Sequence, residues 1–286
     1  MPKRQLRPPG LATGDVVVVT GASRGIGAEI CRRFSALGCS VGLIGRDASA
    51  LADVEATLSS PSHAAVADVA DSVALARAIN DIIDLLGTIS VLVNNAGHGS
   101  WTAVVDTDAS DFRRAIDVNY LGVVAATALV LPEMLERRRG HIINISSIAG
   151  RIGAPFEAAY TASKFAMVGF SEALAIEVAG TGVEVSMIHP GPVDTEFAAT
   201  RGRPAPRRAP KPVPVEAVGD AVMATVRRPR HNRYVPAWLG YAVAAKTIAP
   251  RVYRFGTARL FADERRQLRD RFVTDQRPDQ RLDKER

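Results

Sequence analysis

Cysteines and long apolar runs are scarce in this sequence, and each shortage excludes a class of protein. Two cysteines cannot build a disulfide framework or a paired-cysteine metal clamp, so we expect Cys31 and Cys39 to be free thiols in a reducing compartment. No apolar run reaches the roughly 18 residues of a membrane span. The longest, 121–131, contains Gly122, ends at Pro132 and reads as a buried helix. The short apolar run after the basic amino terminus does not fit a signal peptide, so we expect a cytoplasmic location.

The composition that remains is typical of one large globular domain. Hydrophobic residues make up 47% of the 286 residues, charged residues 23% and aromatic residues 6%, which excludes a disordered polyelectrolyte. The net charge of +6 comes entirely from 201–233, where nine basic residues stand against two acidic ones. That stretch has five prolines in its first part, 201–214, and no interleaved aromatic residue, so we do not expect the protein to bind nucleic acid.

Short apolar runs alternate with helical patterns from residue 15 to about 236, which is the order of repeated β-α units. The runs are continuous in hydrophobicity, as in parallel strands covered by helices on both faces. The sequence therefore predicts an α/β fold with a doubly wound parallel sheet. Seven strands are predicted at 15–20, 40–45, 64–68, 89–95, 140–146, 183–188 and 232–236. Helices are predicted at 25–37, 48–58, 71–86, 107–137, 158–179 and 215–228.

Three segments near the carboxyl end differ from this pattern. The segment 201–214 holds five prolines and five basic residues without an acid, and predicts an exposed, mobile loop. The segment 237–261 mixes apolar with basic residues and predicts an amphipathic helical extension. This extension covers either a pocket or a neighbouring subunit, or 236–261 makes peripheral contact with an anionic membrane. The segment 262–286 is dominated by charge, and we expect a disordered tail.

A glycine-rich turn follows the first predicted strand and opens the first helix. In TGASRGIG at 20–27, Gly21 permits a tight turn, while Gly25 and Gly27 allow a phosphate and the helix to approach closely. The spacing is related to the dinucleotide-binding fingerprint without being identical to it. Its position between strand and helix nevertheless favours cofactor binding.

The residues after the second strand indicate which dinucleotide fits. An acidic side chain there would bind the adenosine ribose hydroxyl and repel a 2′-phosphate, but Gly45 and Arg46 occupy that place. Arg24 in the glycine turn supplies a second guanidinium, so NADP(H) is favoured over NAD(H). The acidic Asp47 argues against this preference, but its position suits a helix N-cap.

Tyr160 and Lys164 are four residues apart and therefore share one face of a predicted helix. A tyrosine whose phenolate is stabilised by a neighbouring ammonium can serve as a proton donor near neutral pH. A lysine resting on an aromatic ring at the surface is the structural alternative.

Six motifs in order resemble the short-chain dehydrogenase/reductase family over residues 14–236. They are TGASRGIG, NNAG at 94–97, Asn119, ISSIAG at 145–150, YTASK at 160–164 and HPGPVDT at 189–195. The resemblance implies a Rossmann-like single domain in which Ser147 polarises a substrate carbonyl and Tyr160 donates the proton. Lys164 would assist Tyr160 and hold the nicotinamide ribose, and Asn119 would hold a water that links Lys164 to solvent. Ser146 would be a structural neighbour, and Asn119 itself could be purely structural.

The same resemblance implies a cofactor-binding set. Asp68 and Val69 would contact the adenine, while Thr195 would reach the nicotinamide carboxamide. The full set is Gly21, Ser23, Arg24, Gly25, Ile26, Gly27, Arg46, Asp68, Val69, Asn95, Ala96, Gly97, Tyr160, Lys164, Pro190, Gly191, Val193 and Thr195. We expect Asn94 to stabilise the sheet and His189 to be a packing residue.

The expected function is therefore hydride transfer between NADP(H) and a carbonyl or secondary alcohol, without a metal. The apolar residues Ile148, Ile152, Pro155 and Phe156 suggest an apolar substrate derived from a lipid, a steroid or an acyl chain. The loop 201–214 would then act as the substrate lid. The family also implies a homodimer or homotetramer built on helices 119–131 and 160–177. The alternative is an NADP(H)-sensing protein of the same fold without turnover.

Overall fold

A computed structural model of the chain describes residues 11–197 and 211–274. Within them, seven strands form one parallel sheet in the order β3-β2-β1-β4-β5-β6-β7. The strands are β1 (Val16–Thr20), β2 (Ser40–Gly45), β3 (Ser62–Val66), β4 (Ile89–Asn94), β5 (Gly140–Ile145), β6 (Val183–Pro190) and β7 (Asn232–Val235). The predicted Rossmann-like, doubly wound sheet is confirmed, and β3 lies two residues earlier than expected.

Helices cover both faces of the sheet. Those of the domain are α1 (Gly25–Ala36), α2 (Ala48–Glu55), α3 (Ser72–Leu86), α4 (Ala109–Ile116), α5 (Gly122–Glu136), α6 (Ala158–Glu177) and α7 (Val215–Arg227). Three more follow β7, namely α8 (Leu239–Ile248), α9 (Pro250–Leu260) and α10 (Ala262–Thr274). The capping role expected of Asp47 is confirmed, because its carboxylate accepts the Ala50 N–H at 3.1 Å.

The sheet is buried on both faces, which explains why its strands carry continuous apolar runs. Val17 and Val19 point into the core on the side of α1 and α7, and Val16 and Val18 into the core on the side of α3 and α5. Cys31 and Cys39 are both buried free thiols in the first of these cores. Burial raises the pKa of the Cys31 thiol to about 12.

The helix predicted at 107–137 is interrupted, and the sequence did not predict this interruption. A π-helical turn, Asp117–Leu121, lies between α4 and α5. By length and composition alone, Ala109–Glu136 could span a membrane, but here it packs against α3, α6 and the central strands. Such π turns often occur at functional sites, and this one contains Asn119.

The carboxyl-terminal prediction needs one correction. Ala262–Thr274 forms the helix α10 instead of a disordered tail. Asp263 and Glu264 lie in its first turn and Arg271 in its last, an order that favours a helix, and Arg271 binds Asp106 at 2.8 Å. The helical extension expected at 237–261 is present as α8 and α9. Residues 275–286, and 198–210 of the proposed lid region, lie outside the described residues.

Candidate active site

The site forms at the carboxyl ends of the strands, where the order of the sheet reverses between β1 and β4. Hydrogen bonds join these two strand ends: the Thr20 hydroxyl accepts the N–H groups of Asn95 and Ala96 at 3.0 and 3.1 Å. The Asn95 amide donates in return to the carbonyls of Thr20 and Gly21 at 3.1 and 3.0 Å. A crevice at such a reversal is the usual ligand site of a doubly wound sheet.

The glycine turn approaches this crevice more closely than any side chain would allow. Gly21 has φ +66°, and a Cβ there would lie 2.7 Å from the Cα of Ala96. A Cβ on Gly27 would collide with the carbonyl oxygen of Gly21. The turn is thereby a cradle of main chain packed at the amino terminus of α1, whose N–H groups fit a dinucleotide pyrophosphate. Ser23 is half-buried in this turn, and Ile26 packs against the core.

The two adjacent serines after β5 point to different environments. Ser146 is buried, and its hydroxyl has no hydrogen-bond partner among the described residues and faces Gly150. Ser147 is half-buried, and its hydroxyl accepts the Ala149 N–H at 3.1 Å, which caps the short 3-10 turn Ile148–Gly150. Strand geometry thus directs Ser147 to the crevice edge and Ser146 into the protein.

Tyr160 and Lys164 lie on the buried face of α6, one turn apart. Their relative exposures are 7% and 3%, which excludes the alternative of a surface lysine resting on a ring. The Lys164 ammonium donates to the Ile145 carbonyl at 2.9 Å and lies 5.8 Å from the centre of the Tyr160 ring. Because Ile145 ends β5, this bond ties Lys164 to the strand that carries Ser147.

Asn119 is fully buried at the centre of the π turn. Its oxygen accepts the His98 N–H at 2.8 Å, and its nitrogen donates to the His98 carbonyl at 2.7 Å and to the Ser163 hydroxyl at 2.8 Å. Ser163 in turn donates to the Tyr160 carbonyl at 2.8 Å. Asn119 therefore connects the loop after β4 to the helix that carries Tyr160 and Lys164. Whether it also holds a water stays a prediction.

Asp68, which is expected to contact the adenine, lies within a cluster of charges. It accepts the Ala70 N–H at 3.0 Å and Arg114 at 2.6 Å, and Arg46 lies 3.9 Å away. Burial raises the pKa of Asp68, but these hydrogen bonds and guanidinium groups outweigh burial and hold the pKa below its ordinary value. Arg46 is 66% exposed, so most of its guanidinium is open to a ligand. Val69 is buried and its carbonyl approaches α5 at Gly122.

The chain after β6 turns back over the glycine turn. Thr195 places its methyl group 3.3 Å from the position of a Cβ on Gly25, and Glu196 accepts a hydrogen bond from Arg24 at 3.2 Å. Phe197 lies 6.1 Å from the Tyr160 ring, measured between ring centres. This segment therefore spans the crevice from the cradle to Tyr160.

The base of that segment is fixed by main-chain pairing. The N–H of Gly191, directly after Pro190, donates to Val235 at 2.8 Å, and Val193 forms an isolated parallel bridge with Val213. The far end of the segment 201–214, predicted to be mobile, is thus anchored at Val213. Gly97 completes the opposite wall, where a Cβ would lie 3.5 Å from the Asn119 oxygen.

The two residues assigned structural roles have them. The Asn94 amide donates to Asn144 at 2.8 Å between neighbouring strands. His189 is fully buried, stacks on Tyr234 and contacts Asn232 at 2.8 Å and the Ser147 carbonyl at 3.4 Å. Burial lowers the pKa of His189 to about 4, so its imidazole is neutral at physiological pH.

Three aromatic residues stack on one side of the crevice. Trp101 lies between Phe156 and Phe261, with ring centres 5.8 and 6.2 Å apart. Phe156 has φ +64°, a left-handed conformation that is costly for a bulky residue and that aims its ring at Trp101. Ile148, Ile152 and Pro155, expected near the substrate, are half-buried in the same loop.

Sequence reasoning missed several members of the site. Each is brought in by a contact between distant parts of the chain, and no local pattern marks it. They are Thr20, His98, Trp101, Arg114, Glu196, Phe197 and Phe261. Ser163 could have been found, because it lies one turn after Tyr160 on the same helix.

Comparison with known proteins supports one family. The family model described as short chain dehydrogenase matches residues 15–205, which is more than half of the chain. Dehydrogenase/reductase SDR family member 7B from Bos taurus is 40% identical over 192 residues, covering 64% of this chain and 59% of the relative's own length. The Xenopus tropicalis protein of the same name is 32% identical over 277 residues, which cover 89% of this chain and 88% of the relative's own length.

Solved structures share the fold over most of the chain. A short-chain dehydrogenase/reductase from Burkholderia phymatum in complex with NAD has a TM-score of 0.75 at 26% identity, covering 83% of this chain and 95% of that one. Actinorhodin polyketide ketoreductase with NADPH has a TM-score of 0.73 at 30% identity, covering 80% of this chain and 99% of that one. A metagenomic short-chain oxidoreductase with NADP has a TM-score of 0.68 at 30% identity, covering 78% of this chain and 96% of that one. With its six motifs gathered around one crevice and its family model matched, this chain belongs to the short-chain dehydrogenase/reductase family of oxidoreductases.

Proposed function

We propose that this protein transfers a hydride between NADP(H) and a carbonyl or secondary alcohol of an apolar substrate. The observation that carries the proposal is the buried pair of Tyr160 and Lys164, tied by the Ile145 carbonyl to the strand that presents Ser147. A bound nicotinamide would supply or accept the hydride. The side chains of Ser147, Tyr160 and Lys164 would then position the substrate oxygen and exchange a proton with it.

The roles of these side chains follow from their chemistry. The Ser147 hydroxyl donates a hydrogen bond to the substrate oxygen and fixes its position. The Tyr160 hydroxyl gives its proton to the same oxygen during reduction and takes it back during oxidation. The Lys164 ammonium stabilises the tyrosinate that remains, and the surrounding apolar side chains exclude water.

The preference for NADP(H) rests on two arginines. Arg46 follows β2 and Arg24 lies in the glycine turn after the neighbouring β1, and both are more than half exposed. No acidic residue follows β2 until the helix-capping Asp47. Two of the three similar structures above carry NADP or NADPH and the third carries NAD. Two guanidinium groups are well suited to a 2′-phosphate monoester.

The apolar substrate class rests on the stacked rings of Trp101, Phe156 and Phe261. These rings are too extensive an apolar surface for a small polar metabolite. We also retain the proposal of a homodimer or homotetramer through α5 and α6, which leave several large apolar side chains exposed. These are Leu121 in the preceding π turn, Leu129, Phe165 and Ile176. A cytoplasmic site of action completes the proposal.

Two measurements test the function. NADPH consumption with a panel of apolar ketones should fall about 100- to 10,000-fold in Tyr160→Phe, while NADPH still binds. Tyr253→Phe, on α9 and outside the site, is the matched control and should keep full activity. Calorimetric titration should show NADPH binding at least about tenfold tighter than NADH, a preference that Arg46→Ala removes and Arg77→Ala retains. Tight NADPH binding with no turnover on any substrate would favour the sensing alternative.

A further inference from the structure

Helix α8 has an inner face that packs on the domain, and α9 packs on α8. Leu239 is buried against Gly191, and Lys246 donates to the Arg151 carbonyl at 2.7 Å and lies 4.8 Å from the centre of the Phe165 ring. Phe261, directly after α9, stacks on Trp101. These contacts fix the two helices beside the aromatic side of the crevice.

The opposite face carries large apolar side chains that the domain does not cover. We call it the outer stripe, and its members are between 47% and 83% exposed. They are Trp238, Tyr241, Ile248, Val252 and Phe255. Tyr241 and Ile248 are seven residues apart on α8, and Val252 and Phe255 are three apart on α9, so each helix presents its members on one face. Trp238 directly precedes α8. Soluble proteins rarely expose so many large apolar side chains together unless the surface binds something.

The charge around the outer stripe has one sign only. The segment 236–262 contains no acidic residue, and acidic side chains return at Asp263 and Glu264 in α10. Arg251, Arg254 and Arg259 are all exposed on α9. The Arg259 guanidinium lies 5.3 Å from the centre of the Phe255 ring, so charge and apolar surface are adjacent. The occupant of this surface should therefore combine apolar material with negative charge.

A second copy of this chain does not meet that requirement. A two-fold contact through the outer stripe would bring the three arginines of one protomer towards those of its partner, without an acid between them. An anionic lipid surface meets both requirements at once. Trp238 and Tyr241 also suit the boundary between headgroups and acyl chains, where amphipathic aromatic rings concentrate.

We propose that α8 and α9 dock the protein on an anionic lipid surface, with the outer stripe in the headgroup region and the α9 arginines on the lipid phosphates. Because Phe261, directly after α9, stacks on Trp101, docking would place the aromatic side of the crevice next to the lipid. An apolar substrate could then pass from lipid to site without crossing water. This last consequence rests on the proposed function, whereas the docking itself does not.

The test is flotation of the full chain with lipid vesicles. Vesicles of phosphatidylcholine with about 30% phosphatidylglycerol should bind the protein at low salt, and phosphatidylcholine alone should bind it weakly. Raising the salt to about 500 mM should release most of it. Arg251→Gln/Arg254→Gln should weaken the partition coefficient about 25-fold, at about five-fold for each arginine. Ile248→Ser/Phe255→Ser should abolish binding at the same protein concentration.

Matched controls separate this surface from general surface properties. Arg227→Gln/Arg228→Gln removes two exposed arginines at the end of α7, and Leu85→Ser removes an exposed leucine of α3. Both controls should bind as the unaltered chain does. Thermal unfolding of every variant checks that it folds.

Several outcomes would overturn the proposal. They are no binding to acidic vesicles, equal binding by the stripe variants and their controls, and an oligomer in light scattering that Ile248→Ser/Phe255→Ser dissociates. The last would assign the stripe to a second copy. If the unaltered chain binds vesicles but reduces no ketone, that result would count against the proposed function alone.

Discussion

The side-chain amide of Asn119 forms hydrogen bonds with both main-chain groups of His98. The Asn119 amide donates to the His98 carbonyl at 2.7 Å, and its oxygen accepts the His98 N–H at 2.8 Å. The π turn at 117–121 brings the amide to this position, because it shifts the helix register between α4 and α5. The loop after β4 is thereby fixed to the helix layer that carries the Tyr160 pair.

Asn119→Leu should lower the free energy of unfolding by about 2 kcal/mol, because it leaves the two partly buried main-chain groups of His98 without their partner. Ser163→Ala removes only one hydrogen-bond partner of Asn119 and should cost about 1 kcal/mol. Urea unfolding of the two variants measures the difference. Equal costs would contradict the view that the His98 contacts dominate.

Glu196→Gln should tighten NADPH binding about two- to five-fold, because the Glu196 carboxylate pairs with Arg24 at an exposed position and competes for it. NADH binding should change less, since it lacks the 2′-phosphate. Calorimetric titration of both cofactors measures the effect. In the Arg24→Ala background the substitution should have no effect, and a persistent gain there would show that Arg24 is not the group released.

His141 and His189 should make the protein less stable as the pH falls. Burial lowers the pKa of each to about 4 in the folded protein, whereas a histidine in the unfolded chain titrates near 6.5. Between these values the unfolded chain binds protons that the folded protein does not. The free energy of unfolding therefore falls from about pH 6.5 to pH 4, by about 3 kcal/mol for each histidine.

Urea unfolding at intervals across that range measures the slope. His141→Gln should reduce the slope, and the double variant with His189→Gln should reduce it about twice as much, even though both substitutions lower stability at pH 7. An unchanged slope in the double variant would mean that other groups dominate the acid response.

Gly27→Ala should disrupt the cradle, because the added methyl group would meet the Gly21 carbonyl and lie 2.7 Å from the Asn95 amide nitrogen. We expect a loss of about 1–3 kcal/mol in the free energy of unfolding, together with weaker dinucleotide binding. Gly256→Ala in α9 is the control, since nothing lies within 4 Å of its added methyl group. Removal of that helical glycine should stabilise the protein by about 1 kcal/mol. Thermal and urea unfolding compare the two.

Much of the fold and the centre of the site could be predicted because both depend on short-range patterns. Continuous apolar runs mark buried parallel strands whatever their partners, and a glycine turn between strand and helix has one geometry. Tyr160 and Lys164 share a helix face by spacing alone. The alternation of side chains at the end of β5 similarly separates Ser147 from Ser146.

Charge composition was a poor guide at the carboxyl end. Ala262–Thr274 has few apolar residues, yet it forms a helix that Arg271 holds to Asp106, 165 positions earlier in the chain. A short segment that cannot bury enough surface by itself can still fold against a surface that the rest of the chain provides.

The sequence by itself therefore determined the order of strands and helices, the position of the cradle and the helix face that Tyr160 and Lys164, the residues of the proposed proton relay, share. Tertiary structure alone decided which distant groups complete the site: Thr20 beside Asn95, Arg114 on Asp68 and Phe197 over Tyr160. The reason is physical. Periodicity reports how a residue relates to its neighbours along the chain, whereas these contacts depend on which strand ends and loops the folded sheet brings to the same edge.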